Sequence, residues 1–325
     1  MRTTSQAQLT RRALLTAVSL AGLGSLGGCV ADPEYPVGPL RLATGNRGGV
    51  YFAYGQGIAA LVRDRLPGLS PQVIATGASV DNLRMVAAGE VEVGFTLADS
   101  AALAVRGEDP FTVALPVVAL ARLYENYLHL VVPLDSGVAS VADLAGHRVS
   151  VGAAGSGTEV VTGRLLASAG LAPGRDLLAF RLGVDESAAA LADGRLDAFF
   201  FSGGIPTTAI ARLAARYPVR LLDLSRYVRP LRAAYGEFYA ERTVPAAVYR
   251  LSGPVATIGV PNYLVVRRDL DERIAYQLTR TLFAGRERLA ATHPEGRRLS
   301  TASAISTYPL DLHRGAVRYY REAKP

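Results

Sequence analysis

The chain has one cysteine, one lysine and four histidines in 325 residues, and each scarcity excludes a class of protein. A single cysteine leaves no disulfide framework, so stability must come from apolar burial. The histidines, His129, His147, His293 and His313, stand far apart without metal-ligand spacing, so neither a metal nor a cofactor is expected. The basic residues are arginines apart from Lys324, scattered and without interleaved aromatics, which argues against a nucleic-acid partner. The formal charge of +7 overstates the basicity, because Arg2, Arg11 and Arg12 belong to a leader that contains no acid.

Catalytic and nucleotide signatures are also missing. GAAGSGT, residues 152–158, lacks the lysine of a phosphate-binding GxxxxGK[ST] loop. Neither glycine loop matches GxGxxG, and no G-x-S-x-G elbow occurs, so Ser156 reads as a hydrogen-bond donor rather than a nucleophile. No assembled nucleophile–base set points to an enzyme.

A membrane-spanning run is absent too. The uncharged stretch 13–28 follows Arg11-Arg12 but is too short for the ~20 residues a bilayer requires, and reads as an export signal. It ends at Leu26-Gly27-Gly28-Cys29, the pattern of a bacterial lipobox, in which Cys29 accepts a diacylglyceryl group and becomes the new N-terminus. The paired arginines fit a twin-arginine signal loosely, leaving that route and Sec export both open. Residues 29–38 then form a tether, and the protein is expected outside the cytoplasm, anchored by lipid to the outer face of the cell membrane.

What is present is one unit written twice. LRLATGNRGGVY (40–51) pairs with NLRMVAAGEVEVGF (82–95), and RVSVGAAGSGTE (148–159) with ESAAALADGRLDAFF (186–200). Each copy reads as strand, glycine loop, helix, then a helix stopped by glycine before another strand. Gly45 to Gly89 spans 44 residues and Gly152 to Gly194 spans 42, so the spacing repeats as well. The expected fold is α/β and two-lobed, with glycine loops at strand ends facing one another across a cleft. Lobe one covers 39–128 and 258–325 and lobe two 129–257, with hinge crossings near residues 128 and 258. Residues 271–292 read as one long amphipathic helix on lobe one and 312–323 as a closing helix.

The loops supply the candidate site. Open helix N-termini carry unpaired N–H groups and partial positive charge, so they hold carboxylates without a formal cation. In the first loop the candidates are Gly45, Arg47 and Gly49, with Val50 and Tyr51 opening the helix. Arg47 could pair with an acidic ligand or stay solvated, and Tyr51 could line the cleft or pack in the core. In TGASVDN, residues 76–82, they are Thr76, Ser79 and Asn82, and Ser79 also suits a helix cap. In the second lobe they are Gly155, Ser156, Gly157 and Thr158, then Gly203 and Gly204. Asp99 could meet an amino group or cap a helix.

These residues resemble the TAXI family, substrate-binding receptors of tripartite ATP-independent periplasmic (TRAP) transporters. The resemblance is carried by TGNRGGVYFAYG, TGASVDNLRMVAAGEVEVGF, DSGVASVADLAGHRVSVGAAGSGTE, GRLDAFFFSGGIPTTAI and LHRGAVRYYRE, in that order, over about residues 40–322. It implies a periplasmic-binding-protein-like (type II) fold and a glutamate- or glutamine-like solute, anionic or zwitterionic. It also implies a cleft in which Thr44, Gly49, Val50, Tyr51, Thr76 and Ser79 face Ser156, Gly157, Thr158 and Gly203. The implied partner is an integral-membrane permease driven by an ion gradient. A ligand-binding accessory of a membrane sensor kinase remains the alternative, and a monomer is expected.

Overall fold

The computed structural model describes residues 36–323. The leader, Cys29 and most of the tether lie outside the described residues, so the lipobox and export readings are not addressed by it.

Ten strands make one curled sheet: β1 (Gly38–Ala43), β2 (Leu69–Ile74), β3 (Val93–Leu97), β4 (Val117–Pro133), β5 (Arg148–Ser150), β6 (Leu178–Phe180), β7 (Ala198–Gly203), β8 (Val219–Leu221), β9 (Ala240–Val244) and β10 (Val255–Arg267). Their order is β2-β1-β3-β10-β4-β7-β5-β6, with β8 added to β4 and β9 to β10. The sequence repeat is a topological repeat. β1 lies between β2 and β3, parallel to both, and β5 lies likewise between β6 and β7.

The first-copy helices are α1 (Val50–Arg65), α2 (Ser79–Ala88) and α3 (Ala98–Arg106), and the second copy supplies α4 (Gly157–Ser168), α5 (Val184–Ala192) and α6 (Thr208–Arg216). Each starts where a strand's C-terminal end turns back over the sheet, so helix N-termini and loops gather on one side. Gly89 closes α2 in the left-handed conformation (φ = 73°), as its place after an apolar helical stripe suggests.

Two strands belong to both halves. β4 and β10 run antiparallel from Val117–Arg267 to Tyr127–Gly259, with register shifts at Pro261/Tyr263 and Leu264/Val265. Beyond that stretch Tyr127–Val131 of β4 pairs with β7, while Val255–Gly259 of β10 pairs with β9. The chain therefore crosses between the halves twice, and both crossings are strands. β4 is far longer than its LHLVVP segment suggests; it is buried along nearly its whole length, so its residues do not alternate in polarity.

The largest apolar core runs through both halves, from Leu83 and Leu97 in the first to Val161 and Leu165 of α4 in the second. A second core lies under α1, and a third packs α5 and α6 on the second half. The long helix expected over 271–292 is broken. It consists of Glu272–Ala284 and Arg286–Thr292, parted at Gly285, whose backbone lies so close to Leu61 of α1 that a Cβ there would stand 2.4 Å from the leucine methyl carbons. Periodicity shows the apolar stripe but not that contact.

Candidate functional site

α1 and α4 present different N-termini to the same cavity. α1 begins after Gly49 with no side-chain cap and no acid in its own first turn, and the acid at its N-terminal loop is Asp185, from α5 of the other half. α4 is capped by Ser156, whose Oγ accepts from the Glu159 N–H at 3.0 Å. Between them lies a cavity of about 30 Å3.

The halves touch around this space. The Gly48 N–H donates to Asp185 Oδ2 of α5 at 2.8 Å, and the Val80 and Asp81 N–H groups of α2 donate to the Gly155 carbonyl at 3.0 and 3.2 Å. The α2 N-terminus is thus occupied by the opposite loop, which leaves α1 as the helix end at the cavity with no acid in its own first turn. Gly157 stands so close to the first half that a Cβ on it would lie 2.6 Å from Ser79 Oγ and 2.7 Å from Leu97 Cδ1.

Of the residues singled out in the sequence, Gly45, Gly49, Val50, Tyr51, Ser79, Ser156, Gly157, Thr158 and Gly203 line the cavity together. Three of their hydroxyls share one arrangement. Ser79 Oγ accepts from the Leu97 N–H at 3.1 Å, Ser156 Oγ from Glu159, and Thr158 Oγ1 from the Ser202 N–H at 3.0 Å. Each spends a lone pair on backbone and keeps its own proton to donate. Ser79 is therefore not the α2 cap suggested by its place in TGAS; the cap position is Ala78, and Ser79 reaches instead to the end of β3.

The other singled-out residues lie apart from the cavity lining. Thr44, Thr76 and Asn82 form a buried knot behind it: Thr76 Oγ1 donates to Asn82 Oδ1 at 2.6 Å, and Asn82 Nδ2 donates to the Thr44 and Phe95 carbonyls at 2.6 and 2.8 Å. That knot ties the ends of β1 and β3 to the loop before α2. Arg47 is exposed with its guanidinium over the Phe52 ring at 5.2 Å, while its neighbour Asn46 lines the cavity. Gly155 carries the carbonyl that holds α2, and Gly204 packs against Glu295 and Tyr124.

Asp99 is wholly buried in the first turn of α3, away from the cavity lining. Its Oδ2 accepts from Tyr239 at 3.0 Å and lies 3.6 Å from Arg164 Nη1 of α4, so it joins the two halves through protein partners. Among the histidines, His293 and His313 cap the segments that follow them. His129 is a core residue instead. The Thr207 N–H donates to Tyr249 OH, placing the phenol proton toward His129 Nε2 at 3.2 Å and leaving Nδ1–H to donate to the Phe201 carbonyl at 3.1 Å. Burial lowers this imidazole to about 4, keeping it neutral.

Sequence reading missed the cavity's floor and walls. Tyr124 and Asn126 from β4 and Ser202 from β7 form the floor, and Leu97, Leu182, Val184 and Phe201 supply apolar surface. One signal was available: Tyr124-Glu125-Asn126 puts consecutive polar groups into a strand that is mostly apolar and buried, and such polar breaks in buried strands need a reason. Among the described lining residues no side chain is charged. Burial pushes the Tyr51 and Tyr124 phenols up, so both remain protonated donors.

A model of the NMT1-like family matches residues 42–323, nearly all of the described chain. The chain belongs to the NMT1-like family. Among solved structures, a protein from Bordetella bronchiseptica RB50 is similar at 19% identity and a TM-score of 0.51, over 88% of this chain and 90% of that one. The periplasmic aliphatic sulphonate binding protein SsuA from Escherichia coli aligns at 20% identity and a TM-score of 0.47, over 89% and 84% of the two chains. A putative L-cystine ABC transporter protein from Listeria monocytogenes aligns at 14% identity and a TM-score of 0.48, over 81% and 98%. This NMT1-like chain has the two-lobed α/β fold of periplasmic binding proteins, with a repeated β-α unit and two strand crossings. No helix among the described residues is long and apolar enough to cross a membrane.

Proposed function

We propose that the protein is an extracytoplasmic solute receptor that captures a small carboxylate-bearing molecule between its halves and delivers it to a membrane transporter. The observation that carries this reading is a cavity with no charged side chain among its described lining residues, at which the N-terminus of α1 meets the hydroxyls of Ser79, Ser156 and Thr158. Such a site supplies hydrogen-bond donors and partial positive charge from a lining whose described residues include no carboxylate. Family membership and the transport-related titles among the similar structures support the receptor role.

The closing motion is a hinge about β4 and β10 near residues 125–127 and 259–261, between lobes 39–128 with 258–325 and 129–257. An amino-acid-sized ligand needs more space than about 30 Å3 open to water centres, so the halves part slightly to admit it. Ligand contacts to both lobes then favour the closed form. The TAXI-like motifs support an ion-gradient-driven TRAP permease as partner and a glutamate- or glutamine-like solute, and the lipobox at Cys29 supports a lipid anchor on the outer face of the cell membrane.

Mass spectrometry of small molecules released from the purified, denatured protein tests the receptor role. A stoichiometric carboxylate is the expected finding. No co-purified solute, together with no calorimetric binding across a carboxylate and amino-acid library, sinks it. Uptake by vesicles carrying the permease, driven by a sodium gradient without ATP, tests the TRAP assignment separately.

A further inference from the structure

Among the described residues, three hydroxyls at the cavity make no well-formed hydrogen bond: Tyr51 OH, whose neighbours are Ser79 and Asn126, Tyr124 OH and Ser202 Oγ. Their residues are 7%, 3% and 7% exposed, so solvent does not satisfy them. A buried, unpaired hydroxyl is costly and calls for a ligand or water to complete it. The three are held in place by packing. The Tyr51 ring stacks on Phe95 at 5.0 Å, the Tyr124 ring lies 5.5 Å from Tyr54, and Ser202 is pinned by its N–H bond to Thr158. Tyr51 OH lies beside Ser79 and Asn126, and the other two rise from the strands of the floor.

We propose that Tyr51, Tyr124 and Ser202 form a donor cluster that reads a carbonyl or carboxylate oxygen on the solute's side chain. This rests on the solute-receptor reading above. The receptor then takes molecules whose side chain carries a hydrogen-bond acceptor and rejects those whose side chain ends in a cation. Among the described lining residues there is no acid to receive an ammonium or guanidinium, and a buried cation without a counter-charge is strongly disfavoured.

Calorimetric titration with L-glutamine, L-glutamate, L-norvaline and L-ornithine tests this on the wild type and on Tyr124→Phe and Ser202→Ala. Glutamine or glutamate is expected to bind at least tenfold more tightly than norvaline, with ornithine weaker still. Each substitution should weaken the acceptor-ended ligand about three- to tenfold while leaving norvaline within twofold, and thermal melts should show both variants folded. Ornithine binding as tightly as glutamine, unchanged affinity in both variants, or equal losses for norvaline would overturn the proposal. Failure of all four probes to bind would overturn it too, while the receptor reading would still be judged by the released-ligand experiment.

Discussion

Replacing Gly157 by alanine adds one methyl group at the place where the halves meet. The new Cβ would stand 2.6 Å from Ser79 Oγ, 2.7 Å from Leu97 Cδ1 and 3.0 Å from Leu97 Cγ, all on the opposite half. Leu97 is fully buried at the end of β3 and Ser79 is bonded to its N–H, so neither can retreat without disturbing the other. Overpacking of this kind costs about 1–3 kcal/mol. On the proposed hinge the clash exists only when the halves are together, so that energy falls on the closed form and parting the halves relieves it. Affinity for the solute should then fall roughly 5- to 150-fold, since each 1.4 kcal/mol is a factor of ten. The melting temperature of the ligand-free protein should change by no more than a degree or two. Calorimetry and thermal melts on one preparation give both numbers. A large drop in melting temperature with unchanged affinity would refute the reasoning, because it would mean that Gly157 is an ordinary core position and that the halves do not separate.

Two further predictions concern buried polar groups. His129, lowered to about 4, binds its proton less readily folded than in the unfolded chain, where an imidazole titrates near 6.5. Its contribution to stability is therefore present above about pH 6.5 and lost as pH falls toward 4, to the extent of about 3 kcal/mol. Urea denaturation at pH 4.5 and 7 should show a smaller pH effect in His129→Asn than in the wild type; equal slopes would remove His129 as the cause. Burial also lowers His293 and His313, which is why the difference between the two proteins, rather than the slope alone, is diagnostic. Arg164→Met leaves Asp99 buried with only Tyr239 and Ser100 as partners, and should cost about 3 kcal/mol in denaturant melts. Asp99→Asn in the same background should recover part of that loss, and no recovery would count against the ion pair.

The repeated unit was legible because its signals are local. A glycine loop after an apolar strand, a one-sided helical stripe and a glycine stop each depend on a few neighbouring residues, so β1, α1, α2 and their counterparts β5, α4 and α5 can be placed within a residue or two from the chain alone. The candidate loops were legible for the same reason. Residue-level roles were less so. Asn46 rather than Arg47 lines the cavity, because Phe52 one turn on draws the guanidinium outward. Ser79 serves β3 rather than its own helix, because α2's first N–H groups are taken by Gly155 from across the cleft.

The amino-acid order by itself determined the α/β class, the duplicated unit, the glycine turns and the family to which the chain belongs. Tertiary structure alone decided which of those turns share a cavity, which hydroxyls are committed to backbone and which are left to donate. It also placed Tyr124, Asn126 and Ser202 on the floor, from strands about 80 residues apart in the chain that pair only once the sheet closes. The physical reason is range: backbone conformation follows short-range sterics and periodicity, whereas a binding surface depends on contacts between segments distant in sequence, whose register is set by the whole sheet.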